Sequence, residues 1–232
     1  INWSSYWATR GVEPGADATL ITTEINAALQ THSYVKITEP GIYDIDGTIY
    51  IPSNTTLEFV AGCTLRKKAG SEFYHMIANE NIQTLTADTN ISLIGNGLNC
   101  DINGIDNVGS PAAVGLRGQL MFYNITGLTI TGIETDTIEP NQFFLQAAEV
   151  SNVIMRDIDA EGEKDGIHFG VADNVLMEDI RTATKDDGIA LNARDYAVSN
   201  PTVGDITNVT ILRWTDDVYA GQGGSGCLLL SG

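Results

Sequence analysis

Short runs of alternating apolar and polar residues, separated by Gly, Asn and Asp, fill most of the chain after residue 32. A period of two predicts β-strands with one buried face. The early runs are residues 34–38, 41–45, 47–51, 56–60 and 64–67. The sequence therefore predicts a chain built largely from short strands.

One segment before these runs has the spacing of an amphipathic helix. Residues 17–31 carry an apolar stripe made of Leu20, Ile21, Ile25, Ala28 and Leu29. This spacing predicts a single helix with one buried face, and Asp17 or Thr23 is suited to cap its start.

The strand-like runs repeat themselves from Asn90 onward. An Asn precedes an aliphatic residue at Asn90, Asn152, Asn174 and Asn208, and Gly127 opens a similar run. Two units align over 22 residues, from Asn152 to Asn174 and from Asp165 to Asp187. A period of this length, with short strands and no helix between them, fits one turn of a solenoid of stacked β-strands.

The predicted fold is all-β: a right-handed, single-stranded parallel β-helix with coils of about 22 residues and a short N-terminal capping α-helix. A β-sandwich would lack the aligned repeat, and a leucine-rich repeat would show a leucine–asparagine consensus that this chain lacks. We predict one domain over residues 1–232, with 1–31 as lead-in and cap and 32–232 as coils. The strand-like residues 228–230 suggest that C-terminal coils are missing.

The recurring asparagines are expected to form a ladder at one bend of every coil. Side-chain amides at equivalent bends can donate and accept between neighbouring coils. The motifs Asn90-Ile91-Ser92 and Asn208-Val209-Thr210 also match the N-glycosylation pattern. Because they coincide with the ladder, we interpret them as structural positions.

Composition limits the possible partners. With 43% hydrophobic residues the chain can fill a core, and its 30 acidic against 12 basic residues give a net charge of −18. This charge disfavours nucleic acid and anionic membranes, and membrane insertion is not expected because no apolar run approaches the length of a span. Neither a P-loop nor a dinucleotide-binding glycine motif occurs, so no nucleotide, haem or flavin is expected as a cofactor. No CxxC pair occurs to suggest a zinc site, so no metal is expected either.

Cysteines and early lysines are expected to have structural roles. Cys63, Cys100 and Cys227 are far apart in the sequence and odd in number, which favours buried free thiols over a disulfide framework. The pair Lys67-Lys68 is expected to be solvated.

Three aspartates carry the candidate chemistry. Asp165 and the pair Asp186-Asp187 lie at equivalent places of consecutive coils, which stack about 4.8 Å apart. Carboxylates this close disfavour each other's charge, so one can stay protonated beside an ionised neighbour. A protonated acid beside an ionised base is the pair that glycoside hydrolysis requires.

This arrangement resembles the family 28 glycoside hydrolases, the polygalacturonases and their relatives in the pectin-lyase-like β-helix superfamily. Asp165 stands where the family has the Asp of Asn-Thr-Asp, and Asp186-Asp187 stand where it has its Asp-Asp pair. Ser225, in Gly223-Gly224-Ser225-Gly226, stands where the family has the histidine of Gly-His-Gly. The family's Arg-Ile-Lys element, which grips the substrate carboxylate, does not occur before residue 232.

The resemblance implies specific roles for the aspartates. Asp186 would be the general acid, while Asp165 and Asp187 would position and activate a water on the opposite face. That is inversion, for which acid and base carboxyls stand about 6.5–9.5 Å apart.

Other residues near the aspartates could contact a sugar. His168 lies on the opposite face of its strand from Ile167 and Phe169, so it could contact substrate or be an ordinary exposed histidine. The lysines could bind an anionic sugar or neutralise the acidic cluster. The candidate substrate-binding residues are Lys164, His168, Lys185, Asn192 and Ser225.

Several functions remain open at the level of sequence. The first is a secreted, monomeric hydrolase acting on a polysaccharide substrate. The second is a phage tailspike or tail-fibre segment, a homotrimer of the virion tail that binds or cuts host polysaccharide. The others are a Ca²⁺-dependent polysaccharide lyase, for which Arg194 could be the base, and an inactive β-helix whose Asp-Gly pairs are only turns.

Overall fold

A computed structural model describes residues 13–102, 111–194, 198, 200–219, 221, 224 and 226–230. Fourteen described strands form one parallel sheet that winds through successive coils, which confirms the predicted parallel β-helix. No helix within these ranges is long and apolar enough to cross a membrane.

Within the described ranges, one α-helix, α1 (Ala18–Leu29), and one 3₁₀ turn (Glu80–Gln83) accompany the strands. The strands, in chain order, are β1 (Tyr34–Ile37), β2 (Gly41–Ile45), β3 (Ile49–Ile51), β4 (Thr56–Phe59), β5 (Cys63–Lys67), β6 (Ile77–Asn79), β7 (Asp88–Asp101), β8 (Gly118–Ile138), β9 (Phe143–Gly162), β10 (Ile167–Phe169), β11 (Ala172–Thr184), β12 (Ile189–Asn192), β13 (Ile206–Asp217) and β14 (Cys227–Leu230).

Strand register gives the length of each coil, and that length varies along the solenoid. Tyr34 of β1 pairs with Thr56 of β4, and Ile167 of β10 pairs with Ile189 of β12, each 22 residues later. The pairing of β9 with β11 keeps the same offset. The 22-residue coil is therefore present near the start of the solenoid as well as in the region where the sequence repeats.

The predicted asparagine ladder is present, although it is not continuous. The side-chain amide of Asn90 donates to Asn54 Oδ1 at 2.9 Å, and that of Asn174 donates to Asn152 Oδ1 at 2.7 Å. All four have positive φ, the left-handed conformation that Asn tolerates better than most residues. Gly127 takes the place between the two pairs, and a Cβ there would lie 2.8 Å from Asn90 Oδ1.

The core consists of aliphatic columns that run along the solenoid axis. Register places Ile91, Leu128, Val153, Val175 and Val209 above one another, each one residue after a ladder position. The first four are buried, whereas Val209 of the last described coil is only partly buried. Each coil therefore buries its inward face against its neighbours, as solenoid stability requires.

Helix α1 covers the N-terminal end of the core, as predicted. The Asp17 carboxylate accepts from the backbone N–H groups of Thr19 and Leu20, which makes it the N-cap. Ile21 and Ile25 are buried in the main core. The side chain of Asn26 ties the helix to the strands, since it donates to the carbonyl of residue 48 and accepts from the N–H of residue 50.

The expectations for Lys67 and Cys227 are wrong. Lys67 is buried rather than solvated: its Nζ donates to the Phe73 carbonyl at 2.7 Å and lies 4.7 Å from the Phe73 ring centroid, and burial lowers the pKa of Lys67. Cys63 and Cys100 are buried free thiols as expected, but Cys227 is exposed. Cys227 lies on β14, in the last described coil, where burial by neighbouring coils is incomplete.

Candidate functional site

Two stacked bends position the three aspartates. Asp165 lies in the bend before β10, and Asp186 and Asp187 lie in the bend before β12, one coil later. The Gly166 N–H donates to the Asp187 carbonyl at 3.0 Å, which ties the bends together. A Cβ at position 166 would lie 2.7 Å from the Gly188 carbonyl oxygen, so close stacking of the coils requires glycine after Asp165.

The three carboxylates converge. Each offers one oxygen that lies within 4.8 Å of an oxygen of the other two. Asp165 and Asp187 are 3% and 6% exposed, whereas the side chain of Asp186 is 43% exposed. The cluster thus has two buried carboxylates and one that faces solvent. This approach is closer than the 6.5–9.5 Å expected between the acid and base carboxyls of an inverting enzyme.

The two lysines that repeat at the coil spacing have different partners. The Lys164 ammonium forms an ion pair with Asp186 Oδ2 and lies 3.8 Å from Asp165 Oδ1. Lys185 Nζ instead binds Glu163 Oε1 at 2.7 Å and lies 5.6 Å from the Tyr219 ring centroid. Only Lys164 therefore contacts the aspartate cluster, where it neutralises part of the charge.

His168 is 1% exposed, so the expectation of an ordinary exposed histidine is wrong. Its ring stacks on the Phe143 ring, with centroids 4.1 Å apart and planes 8° from parallel. Nδ1 lies 2.8 Å from Asp165 Oδ2, and Nε2 lies 3.3 Å from Asn192 Nδ2. Its strand face does point away from Ile167 and Phe169, but Phe143 of the preceding coil covers it.

One buried oxygen of the cluster remains available. Asp165 Oδ1 accepts no hydrogen bond from any described residue. Buried carboxylate oxygens are normally satisfied, so this atom is suited to accept from a bound molecule. The Lys164 ammonium is too far away, at 3.8 Å, for a hydrogen bond.

A cleft of about 270 Å³ opens over the cluster. Besides the three aspartates, Lys164, His168 and Asn192, it is lined by Arg117, Phe143, Leu228 and Leu230. The Arg117 guanidinium lies 5.3 Å from the Phe143 centroid and donates to the Asn141 carbonyl. It brings a second cation to the cleft.

Arg117 and Phe143 line the cleft but were not predicted from the sequence. Phe143 lies 22 residues before Asp165, so counting one coil backward would have found it, whereas Arg117 belongs to a coil with an offset of 25. Lys185 is not among the described residues that line the cleft, and Arg194 is exposed and also outside it. Ser225 lies outside the described residues.

The carboxylates could also be considered as metal ligands. Three converging carboxylates suit a hard divalent cation such as Ca²⁺, which binds six to eight oxygens. The same site holds the Lys164 ammonium, which contacts one carboxylate and lies close to a second. The residues therefore provide an acidic cluster with its own organic cation, and they fit a metal only if Lys164 moves away.

Comparison with known proteins supports the architecture. No protein-family model and no curated protein matches the chain. The crystal structure of a "putative glycosyl hydrolase" from Parabacteroides merdae ATCC 43184 superposes with a TM-score of 0.62 and 13% identity, over 90% of this chain and 96% of that chain. An iota-carrageenase of family GH82 from A. fortis gives 0.43 and 14%, over 85% and 45%. The first likeness supports the fold alone.

Proposed function

We propose that the protein is a polysaccharide-degrading glycoside hydrolase of the polygalacturonase type, acting outside the cell. The observation that carries this proposal is the convergence of one solvent-facing and two buried carboxylates from consecutive coils, in an open cleft. A protein of the same fold that is named as a glycosyl hydrolase agrees with the class of reaction but says nothing of the substrate.

In the proposed reaction, Asp186 gives a proton to the glycosidic oxygen as the bond from that oxygen to the anomeric carbon breaks. A water attacks the anomeric carbon and gives its proton to Asp165, with Asp187 beside it. The exposure of Asp186 suits contact with a leaving group, and the burial of the other two suits a bound water. The products are a new reducing end and a new hydroxyl group.

An anionic substrate explains how Asp186 could become an acid. Its ion pair with Lys164 favours the charged carboxylate, so this contact must break before Asp186 can carry a proton. A uronate or sulfate group in the cleft would attract Lys164 and Arg117 away from their present partners. We therefore propose an acidic polysaccharide as substrate.

The first experiment measures reducing-end release from pectic and bacterial capsular polysaccharides. Asp186→Asn should reduce release at least about 10²-fold, as expected when a general acid is removed. Asp205→Asn, at an exposed carboxylate outside the cleft, is the matched control and should be as active as wild type. Release that does not respond to Asp186→Asn would rule out the proposed acid.

Stereochemistry is a separate test. NMR of the first sugar released shows whether the anomeric configuration is inverted, as proposed, or retained. The short approach of the carboxylates makes this test informative, because retaining enzymes hold theirs about 5–5.5 Å apart. Retention would replace the base with a nucleophile and would leave the hydrolase assignment standing.

A Ca²⁺-assisted lyase is the second candidate, supported by the convergence of the three carboxylates. A lyase leaves an unsaturated product that absorbs ultraviolet light, and a chelator abolishes its activity. A hydrolase of the proposed kind gives no such absorbance and keeps its activity in chelator. Size-exclusion chromatography tests the proposed monomer, since a tailspike segment would elute as a trimer.

A further inference from the structure

His168 connects the aspartate cluster to the interior of the solenoid. Nδ1 faces one oxygen of Asp165, and Nε2 faces the side-chain amide of Asn192 two positions past its strand partner. The stacked Phe143 ring closes one side of the imidazole. All four side chains line the same cleft, and each is almost fully buried.

The contacts of the imidazole select one arrangement of protons. The Asn192 amide nitrogen is a donor, so Nε2 must accept, which leaves the ring proton on Nδ1. That Nδ1–H points at Asp165 Oδ2 at 2.8 Å, and the carboxylate accepts it most strongly when ionised. The second oxygen of Asp165 accepts nothing from the described residues.

We infer that His168 is a positioning residue that holds Asp165 in place as the water-activating carboxylate, and that Asn192 sets its tautomer. His168 fixes Oδ2, so Oδ1 is left free to take the proton of the attacking water. This inference rests on the proposed hydrolase function, and it assigns the base role to Asp165 rather than to Asp187. A histidine that orients a carboxylate from behind touches neither the water nor the sugar.

Other charges around Asp165 do not fix the carboxylate in the same way. Lys164 Nζ lies 3.8 Å from Oδ1 and is paired with Asp186, so substrate binding can remove it. Asp186 and Asp187 approach from the next coil and bring like charge. Arg117 lies beside the Phe143 ring. Among the described contacts of Asp165, the bond from His168 is the one that is both buried and short.

Two substitutions separate positioning from packing. His168→Asn can keep an N–H donor near the position of Nδ1, whereas His168→Leu keeps the apolar contact with Phe143 but has no donor. We expect His168→Leu to lower kcat about 10²-fold with KM changed less than about twofold, because the interaction acts in the transition state. His168→Asn should stay within about tenfold of wild type. Thermal unfolding of both variants controls for loss of fold.

Equal losses of kcat in the two variants, or a rise in KM at constant kcat, would overturn the inference. Wild type and Asp186→Asn, measured in parallel, test the hydrolase function itself. If wild type is active, Asp186→Asn is inactive and His168→Leu is fully active, the hydrolase function stands and only the role of His168 is contradicted. If wild type is inactive on every polysaccharide, the proposed hydrolase function itself is contradicted.

A spectroscopic measurement tests the geometry without substrate. The ¹⁵N–¹H correlations of the His168 ring should show a neutral imidazole protonated at Nδ1, and Asp165→Asn should change its shifts. A ring protonated at Nε2 alone would contradict the proposed role of Asn192 and the bond to Asp165. The exposed His32 provides the reference signal of a histidine without such partners.

Discussion

Two buried histidines differ in their hydrogen-bond partners, and this difference separates an interior residue from a residue of the cleft. His75 and His168 are both almost fully buried. The Nδ1 of His75 faces a backbone carbonyl, that of Gly118, at 2.7 Å, whereas the Nδ1 of His168 faces a carboxylate in an open cleft. His75 is thus part of the interior, and burial lowers its pKa to about 4.

His75 should make stability depend on pH. Its pKa is about 4 in the folded protein against about 6.5 in the unfolded chain, so the unfolded chain takes up the proton first as pH falls. We expect its contribution to be intact above about pH 7 and to fall by about 3 kcal/mol between pH 6.5 and 4. Urea unfolding of wild type and His75→Gln at both ends of this window measures the difference.

The control for this titration is His32→Gln, because His32 is exposed. Carboxylates also titrate over this range, but they contribute equally to wild type and variants and cancel in the comparison. If the difference between wild type and His75→Gln stays constant with pH, the His75 ring is not held neutral by the fold.

Lys164 and Lys185 form a natural pair for testing the cleft. They occupy equivalent places in consecutive coils, but only Lys164 contacts the aspartates. We expect Lys164→Met to raise KM for an acidic polysaccharide about tenfold or more, since a charge-assisted contact is lost. Lys185→Met should change KM less than about twofold. Equal effects of the two substitutions would mean that general surface charge, not the cleft, attracts the substrate.

At the scale of elements, the coils from Asn54 to Asn208 turn at a residue with positive φ, and the contacts between neighbouring coils decide whether that residue is Asn or Gly. Asn fits because its amide bonds between coils, as from Asn174 to Asn152. Gly127 fits where the neighbouring Asn90 leaves no room for a side chain. The repeated bend therefore depends on both backbone conformation and the space between coils.

Substituting two glycines separates these effects. Gly127 and Gly70 have φ of 84° and 81°, but only at Gly127 would a Cβ meet another atom, 2.8 Å from Asn90 Oδ1. Gly70→Ala should cost about 1 kcal/mol from backbone conformation alone. Gly127→Ala should cost about 1–2 kcal/mol more, because it also displaces the Asn90 side chain. Denaturant unfolding compares the two variants. Equal losses in the free energy of unfolding would show that the Asn90 side chain moves aside at no measurable cost.

The repeat made the fold accessible from sequence, because Asn152 and Asn174 mark the same bend 22 residues apart. The coil of 22 residues from Tyr34 to Thr56 was not recognised, because Asn54 marks the bend before Thr56 but His32 occupies the equivalent place before Tyr34. The same 22-residue repeat relates Asp165 to Asp187, so their proximity was predicted together with the fold. Arg117 was missed because its coil has a different length, and the burial of His168 was missed because it depends on Phe143.

At the scale of the whole molecule, acidic residues outnumber basic ones, and many of the basic residues are already paired between coils. Arg66 binds Asp44, Arg156 binds Glu178 and Lys185 binds Glu163, each across 22 residues. These pairs leave a large surplus of negative charge on the outside of the solenoid. Lys164 and Arg117 in the cleft are therefore local cations on a molecule that repels polyanions.

The salt dependence of activity should distinguish repulsion by the acidic surface from attraction by the two cations in the cleft. The repulsion from a net charge of −18 acts over the whole surface and is screened beyond about 8–10 Å at 0.1–0.15 M salt, whereas contacts of 3–4 Å inside the cleft are screened far less. We therefore expect kcat/KM on an acidic polysaccharide to rise severalfold between about 0.01 and 0.15 M NaCl, because encounter becomes easier. A neutral polysaccharide, if cleaved, should show no such rise and serves as the control. A steady fall of kcat/KM with salt on the acidic substrate would mean that the cleft cations outweigh the acidic surface already at long range.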